Sequence, residues 1–591
     1  MSTRIVRTPS RRRGTAGALC ALLAALAVQA CAPGPAATHR EAVRIAVIGT
    51  NDVHGQLGPM ANRGGLVTLS GYVAALRASD EVDAVLLVDA GDMWQGTLES
   101  NLDEGASVVD AYNAMGYAAA AIGNHEFDFG PVGPASVPGP DDDPRGALKA
   151  RAAEAAFPLL AANLAAGRER PPGWPNVGSS VLLDLNGVDV GIVGIMTAGA
   201  LSATLAANVG GLEVTPLPAA VETEARELRR RGADLVIVLA HAGGRCGDAA
   251  GPVDPGAAVA LAACERTGEI FELAAGLPAG LVDHIVAGHV HHAFAETVNG
   301  ISITSNDSRT PTFGRVDFAV SDGGPSRRLR LYEPTPPCPY RFVAGDTCAW
   351  ADPGDGSVRT AAYAGHPVVP DPGVVAIAAR AQAAAERQKS ESLGVVLAAP
   401  FTLKGNPESA LGNLVTHALL ASFPADAAIH NVHGGLRSPL PAGELTYGSV
   451  YEMFPFDNRV AVVELDGRAL REVLRAQVRK GRTRAGIAGI EVTAACRGDD
   501  MDLDLVLDSG RRIGDSDSVR IVVNDFLTSG GDDILDPAIP PGGFPAEEQL
   551  PGVRDALVAW FREQERLHPE DFGSAGAPRW RVDPACVTGA G

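Results

Sequence analysis

Short apolar runs alternate with longer helical stretches over the first half of the chain, from Val43 to about Ser321. Strands separated by helices in this way predict a layered α/β domain. The predicted strands are Val43–Gly49, Ala84–Val88, Ala118–Ile122, Leu159–Ala162, Val188–Ile195, Leu235–Leu239, His284–Ala287 and Ile301–Thr304.

The pattern changes beyond this region. Glu333–Asp371 is rich in Pro, Gly and Asp and contains two cysteines, which is typical of a linker or a disulfide-held loop. Val374–Gln388 is rich in Ala without internal Gly or Pro, so it is predicted to be a helix. A second α/β region runs from about Gly394 to Cys586, with predicted strands at Ala427–Ile429, Arg459–Leu465 and Ser518–Val523.

Length and composition indicate a folded protein of more than one domain. The 591 residues exceed one ordinary core, and 46% hydrophobic with 20% charged residues is a globular composition. The formal net charge of −21 argues against binding to nucleic-acid polymers, which require a basic face. It does not argue against small phosphate esters, because bound cations can dominate the local field.

The first thirty residues have the pattern of an export signal. Five arginines lie between Arg4 and Arg13, and Ala16–Val28 is a short apolar stretch. Val28–Cys31 resembles the lipobox of bacterial lipoproteins, which predicts a lipid on Cys31; the alternative is cleavage after Ala30 without a lipid. We therefore expect residues 1–30 to be a signal peptide. The mature protein is expected to be a periplasmic or outer-surface lipoprotein of a bacterium, in contact with the membrane only through the lipid. The sequence does not fix the oligomeric state.

Six cysteines remain besides Cys20 in the signal and Cys31. An even number in an exported chain favours disulfides. Metal binding is the alternative, but no CxxC spacing supports it. The local pairs would be Cys246–Cys264 and Cys338–Cys348, leaving Cys496–Cys586, although the sequence does not exclude other pairings.

Polar clusters follow the predicted strands of the first region. In open α/β sheets the loops at the carboxyl ends of the strands form the ligand site, so these clusters are expected to converge. Each could individually be a turn Asp or a core His, but together they provide the carboxylates, imidazoles and neutral oxygen that two divalent ions require. Two such ions would polarise a phosphate and lower the pKa of water. The clusters are Asn51-Asp52-Val53-His54-Gly55, Gly91-Asp92, Gly123-Asn124-His125-Glu126, His241 and Gly288-His289-Val290-His291.

These motifs resemble the calcineurin-like metallophosphoesterases, and the chain from about residue 43 to 583 resembles the 5′-nucleotidase family. The most specific motifs are Thr50–Gly55, Asp89–Asp92 with Gln95–Thr97, and Gly123–Gly130. The resemblance implies two divalent metal ions (Mn, Zn, Mg or Ca) that share Asp92. One would be held by Asp52, His54, Asp92 and His291, the other by Asp92, Asn124, His241 and His289. It also implies that His125 stabilises the phosphoryl group in the transition state and that Asp128 orients His125.

The second region resembles the substrate-binding domain of that family. The implied substrate contacts are Asn124, Asn431, Gly434, Gly435, Arg437, Phe456, Phe526 and Asp532, with the two phenylalanine rings stacking on the base. Taken alone, each Phe is more simply a core residue and Gly-Gly-Leu-Arg an ordinary turn. The family usually has Asn at the position of Val432, whereas here Asn431 lies one residue further out.

The predicted architecture is α/β: a four-layer α/β/β/α metallophosphoesterase domain (41–335), a linker with a connecting helix (336–393) and an α/β substrate-binding domain (394–587). The predicted activity is a dinuclear-metal phosphohydrolase acting on nucleotides as a 5′-nucleotidase, which is a phosphoric monoester hydrolase. The enzymatic alternatives are a 2′,3′-cyclic-nucleotide 2′-phosphodiesterase with 3′-nucleotidase activity and a UDP-sugar hydrolase. The non-enzymatic alternative is a lipid-anchored nucleotide-binding or adhesion protein.

Overall fold

The computed structural model describes residues 42–591, except for 61, 134–137, 140, 247–265, 322–326, 404–407, 457, 480–484, 498–499, 541–542, 545–549, 573–577 and 587–591. The predicted signal peptide, Cys31 and Cys264 lie outside the described residues.

Two sheets form the centre of the N-terminal region. The first has seven strands, in the order Arg327–Leu331, Gly314–Val320, Val43–Thr50, Ala84–Asp89, Ala119–Ala121, Leu159–Leu160 and Val177–Gly178. The second has six, in the order Phe294–Val298, Ile301–Ser305, His284–Ala287, Leu235–His241, Val188–Met196 and Ser180–Leu185.

The central strands of both sheets are parallel and are covered on both faces. Val43–Thr50 pairs in parallel with Ala84–Asp89, and Leu235–His241 pairs in parallel with Val188–Met196 and His284–Ala287. Buried parallel strands read as continuous runs of Val, Ile, Leu and Ala, which is the pattern in the sequence.

Three hydrophobic clusters separate four layers. Ile45, Leu86, Val190 and Ile237 belong to the cluster between the two sheets. A second cluster lies between the first sheet and the helices Gly65–Arg77, Ala106–Met115, Gly146–Glu154 and Pro372–Lys389. A third lies between the second sheet and the helices Leu217–Arg230 and Glu269–Gly276. The arrangement is the expected α/β/β/α sandwich.

The connecting region contains more structure than its composition indicated. Between the two large regions lie short strands at Tyr340–Phe342, Cys348–Ala349, Val358–Thr360, Ala362–Tyr363 and His366–Pro367. The expectation of a plain linker or loop is therefore incomplete. The predicted helix is present as Pro372–Lys389, where Asp371 accepts hydrogen bonds from the N–H groups of Gly373 and Val374. Proline in the first turn explains why the helix begins two residues earlier than expected.

The C-terminal region contains three small sheets and several helices. Its four-stranded sheet runs Val460–Asp466, Ser518–Asn524, Ala427–His430 and Gly486–Ala488. The three-stranded sheets are Gly443–Thr446, Ser392–Leu397 and Arg566–Leu567, and Asp500–Leu507, Ile490–Arg497 and Trp580–Val582. The helices of at least seven residues are Ala410–Ser422, Tyr447–Met453, Gly467–Arg479 and Val553–Arg562.

Two of the expected disulfides are present. Cys338 is bonded to Cys348, and Cys496 to Cys586. Cys246 is disulfide-bonded as well, but its expected partner Cys264 is outside the described residues. Within the described part of the chain, no helix combines the length and apolar character needed to span a membrane.

Candidate active site

The predicted metal ligands come from five loops at the carboxyl ends of parallel strands. Asp52 follows Val43–Thr50, Asp92 follows Ala84–Asp89, and Asn124 follows Ala119–Ala121 in the first sheet. His241 ends Leu235–His241 in the second sheet, and the pair His289 and His291 follows His284–Ala287 there. Because the two sheets pack face to face, their loop ends meet at one edge of the sandwich.

Five of the predicted ligands have left-handed backbone conformations. The φ angle is 50° at Asp52, 49° at His54, 59° at Asp92, 74° at His289 and 53° at His291. Such conformations are costly for residues other than glycine and persist where surrounding contacts enforce them. Here the N–H of Asp52 donates to the Gly91 carbonyl at 2.9 Å, and that of His289 donates to Oδ2 of Asp52 at 2.9 Å. Strain concentrated at these loops is typical of a functional site.

The first predicted set of ligands converges on one point. Potential ligand atoms of Asp52, His54, Asp92 and His291 all lie within 4.8 Å of one another. Nε2 of His291 is 3.2 Å from Oδ1 of Asp52 and 3.2 Å from Nε2 of His54. Asp52 and Asp92 are almost fully buried, so their carboxylates need a positive partner.

The second set shares Asp92 with the first. Asp92, His241 and His289 also place ligand atoms within 4.8 Å of one another. Oδ1 of Asn124 lies 2.9 Å from Nε2 of His241 and 3.1 Å from Nδ1 of His289, so its amide oxygen faces the same point. Asp92 therefore lies where the two sets meet, as a bridging ligand must.

Hydrogen bonds to backbone carbonyls select the tautomers of two histidines. Nδ1 of His54 donates to the Gln95 carbonyl at 2.9 Å, and Nδ1 of His241 donates to the Ala90 carbonyl at 3.0 Å. Because a carbonyl only accepts, Nε2 of each ring, when the ring is neutral, has its lone pair directed at the cluster. Outer partners of this kind are what orient imidazole ligands in metal sites.

The electrostatics of the cluster also suit cations. Burial lowers the pKa of His54 well below its usual range and lowers that of His289 to about 4, which favours the neutral imidazoles that bind metals. Burial alone would lower the pKa of His241 too, but the Asp92 carboxylate outweighs it and raises the value to about 10. A proton and a metal ion thus compete for the position beside Asp92. The donor set fits divalent cations.

His125 and Asp128 form the expected pair beside this cluster. They belong to a short 3-10 turn in which Nδ1 of His125 lies 2.6 Å from Oδ2 of Asp128. Burial opposes protonation of His125, but Asp128 and Asp92 outweigh it and raise the pKa of the ring. The N–H of His125 donates to Oδ1 of Asp92 at 2.9 Å, which fixes the turn against the ligand loop.

One cavity of about 480 Å³ joins this cluster to the C-terminal region. Asp92, Asn124, His125, Asp128, His289 and His291 line one part of it, while Asp52, His54 and His241 lie behind that wall. All the predicted contacts from the C-terminal region line the rest: Asn431, Gly434, Gly435, Arg437, Phe456, Phe526 and Asp532.

The cavity residues of the C-terminal region are held by specific contacts. Nδ2 of Asn431 donates to Oδ2 of Asp532 at 2.6 Å, whereas Val432 is buried in the core, so Asn431 is the residue that reaches the cavity. The guanidinium of Arg437 lies 5.1 Å from the centre of the Phe456 ring. That ring is in turn 6.0 Å from the His125 ring, with 24° between the two planes.

A side chain at position 435 would overlap its surroundings. A Cβ atom on Gly435 would approach the carbonyl of Asn431 to 2.5 Å, so the loop before Arg437 requires glycine at this position.

Several cavity residues were not predicted from the sequence. Gln95 belongs to a motif noted above without an assigned role, and its Nε2 donates to the Pro455 carbonyl at 3.2 Å. Thr204, Arg245, Asn458 and Asn524 also line the cavity, and nothing in their sequence surroundings distinguished them. Asn524 accepts a hydrogen bond from the N–H of Leu527 at 2.9 Å and thereby caps the short helix that carries Phe526.

Comparison with known proteins agrees with this geometry. The model of the 5′-nucleotidase C-terminal domain matches residues 392–537. A 5′-nucleotidase of Vibrio cholerae is 24% identical over 591 residues, covering 94% of this chain and 95% of that protein. The chain is similar to 5′-nucleotidases over nearly its whole length.

Two further family comparisons define the extent of the likeness. Endonuclease YhcR of Bacillus subtilis is 26% identical over 453 residues, or 74% of this chain, but the match spans only 33% of YhcR. A 5′-nucleotidase precursor from Thermus thermophilus has the same fold, with a TM-score of 0.64 and 19% identity over 92% of this chain and 99% of that one. The predicted resemblance to 5′-nucleotidases and the predicted fold class are confirmed, and the roles of individual residues stay predictions.

Proposed function

We propose that the protein is an exported phosphohydrolase that uses two divalent metal ions to remove phosphate from nucleotides, with 5′-nucleoside monophosphates as its substrates. One observation carries the proposal: Asp92 belongs to both ligand sets, and the cavity beside it extends to Phe456 and Phe526. A single cavity thus offers a place for a phosphate and a place for a base.

The ligands are assigned as the sequence predicted. Asp52, His54, Asp92 and His291 would hold one ion, and Asp92, Asn124, His241 and His289 the other. A pair of bound divalent cations supplies charge neutralisation at the phosphate oxygens and a hydrolytic nucleophile near neutral pH. The mixture of imidazoles, carboxylates and one amide oxygen is compatible with Zn or Mn, and Mg or Ca complete the candidate set.

The chain's own residues would orient the substrate. Arg437 lines the cavity and would donate to phosphate oxygens, and glycines 434 and 435 would allow a ligand to approach the backbone. Asp532 would accept from ribose hydroxyls, and the base would stack between Phe456 and Phe526.

His125 would donate to the phosphoryl group as negative charge develops on it, and Asp128 would hold the ring in the required orientation through the 2.6 Å contact with Nδ1. The side-chain amide of Asn124 makes two contacts: Nδ2 donates to the Ala203 carbonyl at 2.9 Å, and Oδ1 faces the ligand cluster. Its second N–H can still reach a phosphate oxygen.

A second candidate substrate class has one observation in its favour. Arg245 is exposed in the wall of the cavity, and its Nη2 is 3.5 Å from the Val290 carbonyl, between the predicted ligands His289 and His291. A cation there, in addition to Arg437, suits a substrate with two phosphates, such as a UDP-sugar. If so, Arg245→Ala should lower kcat/KM for UDP-glucose about fivefold more than for AMP, since an exposed charge pair contributes up to ~1 kcal/mol.

The test is a substrate panel of AMP, 3′-AMP, the cyclic AMP isomers and UDP-glucose, assayed with and without a chelator and followed by metal analysis of the active preparation. Hydrolysis led by AMP and abolished by the chelator is expected. Asp92→Asn should remove turnover while leaving a folded protein, and undiminished turnover by this variant would contradict the shared ligand. Preference for cyclic AMP or 3′-AMP would instead assign the cyclic-phosphodiesterase alternative.

The proposal extends to organisation and location. We propose residues 41–335, 336–393 and 394–587 as the metal domain, the connecting region and the substrate domain. Export as a lipoprotein would rest on residues 1–31, and labelling of the expressed protein with a radioactive fatty acid tests it: label lost in Cys31→Ala supports the lipid.

A further inference from the structure

One segment outside the predicted site motifs packs directly on the dyad turn. We call Thr197–Val209 the brace segment; it follows the strand Val188–Met196 and contains a 3-10 turn at Ala198–Ser202. Its first residue is tied to the site, because the N–H of Thr197 donates to the carbonyl of His241 at 2.9 Å. Ala200, Leu205 and Val209 are buried and anchor it in the core.

Three side-chain hydrogen bonds join the brace segment to residues 124–128. Nδ2 of Asn124 donates to the Ala203 carbonyl at 2.9 Å, and Nδ2 of Asn208 donates to the Phe127 carbonyl at 2.8 Å. Between them, Oγ1 of Thr204 donates to Oδ1 of Asp128 at 2.6 Å. The first of these bonds decides which end of the Asn124 amide faces His241, so the brace segment already orients one predicted ligand.

The Thr204 bond has a distinct consequence for Asp128. The torsion of a carboxylate about its terminal bond has no sharp staggered minimum, so packing or hydrogen bonds must fix the plane of the group. Oδ2 of Asp128 is engaged by His125 at 2.6 Å, and Oδ1 is engaged by Thr204. With one donor on each oxygen, the carboxylate plane and hence the His125 ring are both fixed.

The direction of this bond is unambiguous. The Asp128 carboxylate can only accept, so the Thr204 hydroxyl must donate its single hydrogen to it. Thr204 is only 5% exposed, which leaves little room for water to replace the bond if the hydroxyl is lost. A substitution that removes only this hydroxyl therefore isolates its contribution.

We infer that Thr204 is a positioning residue of the reaction, which holds Asp128 in the orientation that aligns His125 with the phosphoryl group. The inference rests on the proposed function for its kinetic readout. It extends the predicted dyad to a chain of three side chains, Thr204, Asp128 and His125, whose members come from two separate segments.

The test compares Thr204→Val, which keeps the shape and removes the hydroxyl, with Thr204→Ser, which keeps the hydroxyl. Thr204→Val should lower kcat about tenfold with little change in KM, because outer hydrogen bonds that orient a reacting group have effects of this order. Thr204→Ser should recover most of the loss. Ser202→Ala is the matched control: the Ser202 hydroxyl is in the same segment, is exposed and bonds only to the Gly199 carbonyl among the described contacts.

A double-mutant cycle separates positioning from general stabilisation. If Thr204 acts through Asp128, Thr204→Val should have no further effect on kcat in an Asp128→Ala background. The same cycle is measured on the unfolding free energy of the chelated protein, where the two substitutions should again be non-additive. The metal content of Thr204→Val should match the wild type, because Asn124 is held by a backbone carbonyl.

AMP and 4-nitrophenyl phosphate are both used as substrates, so that the two proposals can fail separately. Additive effects on kcat, or a wild-type kcat in Thr204→Val, would overturn the role of Thr204. Turnover of 4-nitrophenyl phosphate without turnover of any nucleotide would overturn the proposed nucleotide specificity, while the Thr204 cycle would still be decided on the artificial ester. Absence of turnover on every substrate would overturn both.

Discussion

Glu126 joins two of the loops that carry predicted metal ligands, and its replacement should weaken the connection between them. Oε2 of Glu126 accepts from the N–H of Asp92 at 2.8 Å and from that of Gly123 at 2.7 Å, and Oε1 accepts from the N–H of Met93 at 2.8 Å. The side chain is 1% exposed, so water cannot substitute for it. Burial and the nearby Asp92 raise the pKa of Glu126, while the N–H groups of Gly123 and Asp92 oppose that shift because they stabilise the ionised carboxylate.

The magnitude for Glu126→Gln follows from this geometry. An amide oxygen at the Oε2 position can still accept from the N–H groups of Asp92 and Gly123. The amide NH2 group then faces the N–H of Met93, and because both groups are donors, no hydrogen bond forms between them. One charge-assisted hydrogen bond is lost and one buried N–H is left unpaired, so we expect the unfolding free energy to fall by about 3 kcal/mol. Because the Asp92 loop loses the Met93 contact and keeps only one of its two bonds to residue 126, metal affinity should fall about tenfold.

The assay is denaturant unfolding of the chelated protein together with metal titration of the folded protein. Glu104→Gln is the matched control, since Glu104 accepts a single backbone N–H, that of Gly133, at 2.5 Å in a part-buried loop away from the ligands. The control should lose under about 1 kcal/mol and keep its metal affinity. Equal losses in the two variants, or full metal affinity in Glu126→Gln, would refute the reasoning.

Two further predictions concern stability. Replacing Cys496 and Cys586 by Ser should lower the unfolding free energy by about 4 to 5 kcal/mol, and replacing Cys338 and Cys348 should lower it by about 3 kcal/mol, both measured by denaturant unfolding. The first loss is larger because that disulfide closes a separation of 90 residues and the other closes one of 10. The reverse order would contradict a chain-entropy origin of the stabilisation. Burial lowers the pKa of His284 to about 3 in the folded state, so its stabilising contribution is present above pH 6.5 and is lost as the pH falls towards 3. At pH 5 this loss amounts to about 2 kcal/mol, and His284→Gln should reduce the acid sensitivity of the unfolding free energy by that amount; an unchanged acid sensitivity would contradict this account.

The sequence predicts the buried parallel strands and the candidate ligands for physical reasons that do not apply to the antiparallel edge strands, such as Ser180–Leu185 and Phe294–Val298, or to the remainder of the site. Buried parallel strands must be apolar throughout, so runs such as Val188–Met196 are visible, and their bounds differ from prediction by only one or two residues. Metal ligands come from a small set of residue types, here Asp, His and Asn, so the loops that carry the predicted ligands have distinctive side chains. By contrast, the short strands between residues 340 and 367 have a composition that is common to loops and strands, and their pairing arises from tertiary contacts.

The brace segment illustrates why orienting contacts escape prediction. Thr204 lies 76 residues from Asp128 in the sequence, in a stretch of Ala, Leu and Ser without charge or unusual spacing. Any Ser or Thr can supply a hydroxyl that donates to a carboxylate, so the residue type alone does not reveal the contact. Its geometry depends on how two loops that follow strands of different sheets pack together. The left-handed backbone at Asp52 and His289 cannot be predicted from the sequence either. These positions require Asp and His for their side chains, and hydrogen bonds to neighbouring carbonyl and carboxylate groups impose the conformation. The residue types of the predicted ligands can therefore be recognised in the sequence, whereas the contacts that orient them can be recognised only in the structure. These orienting contacts distinguish a set of ligands from a working centre.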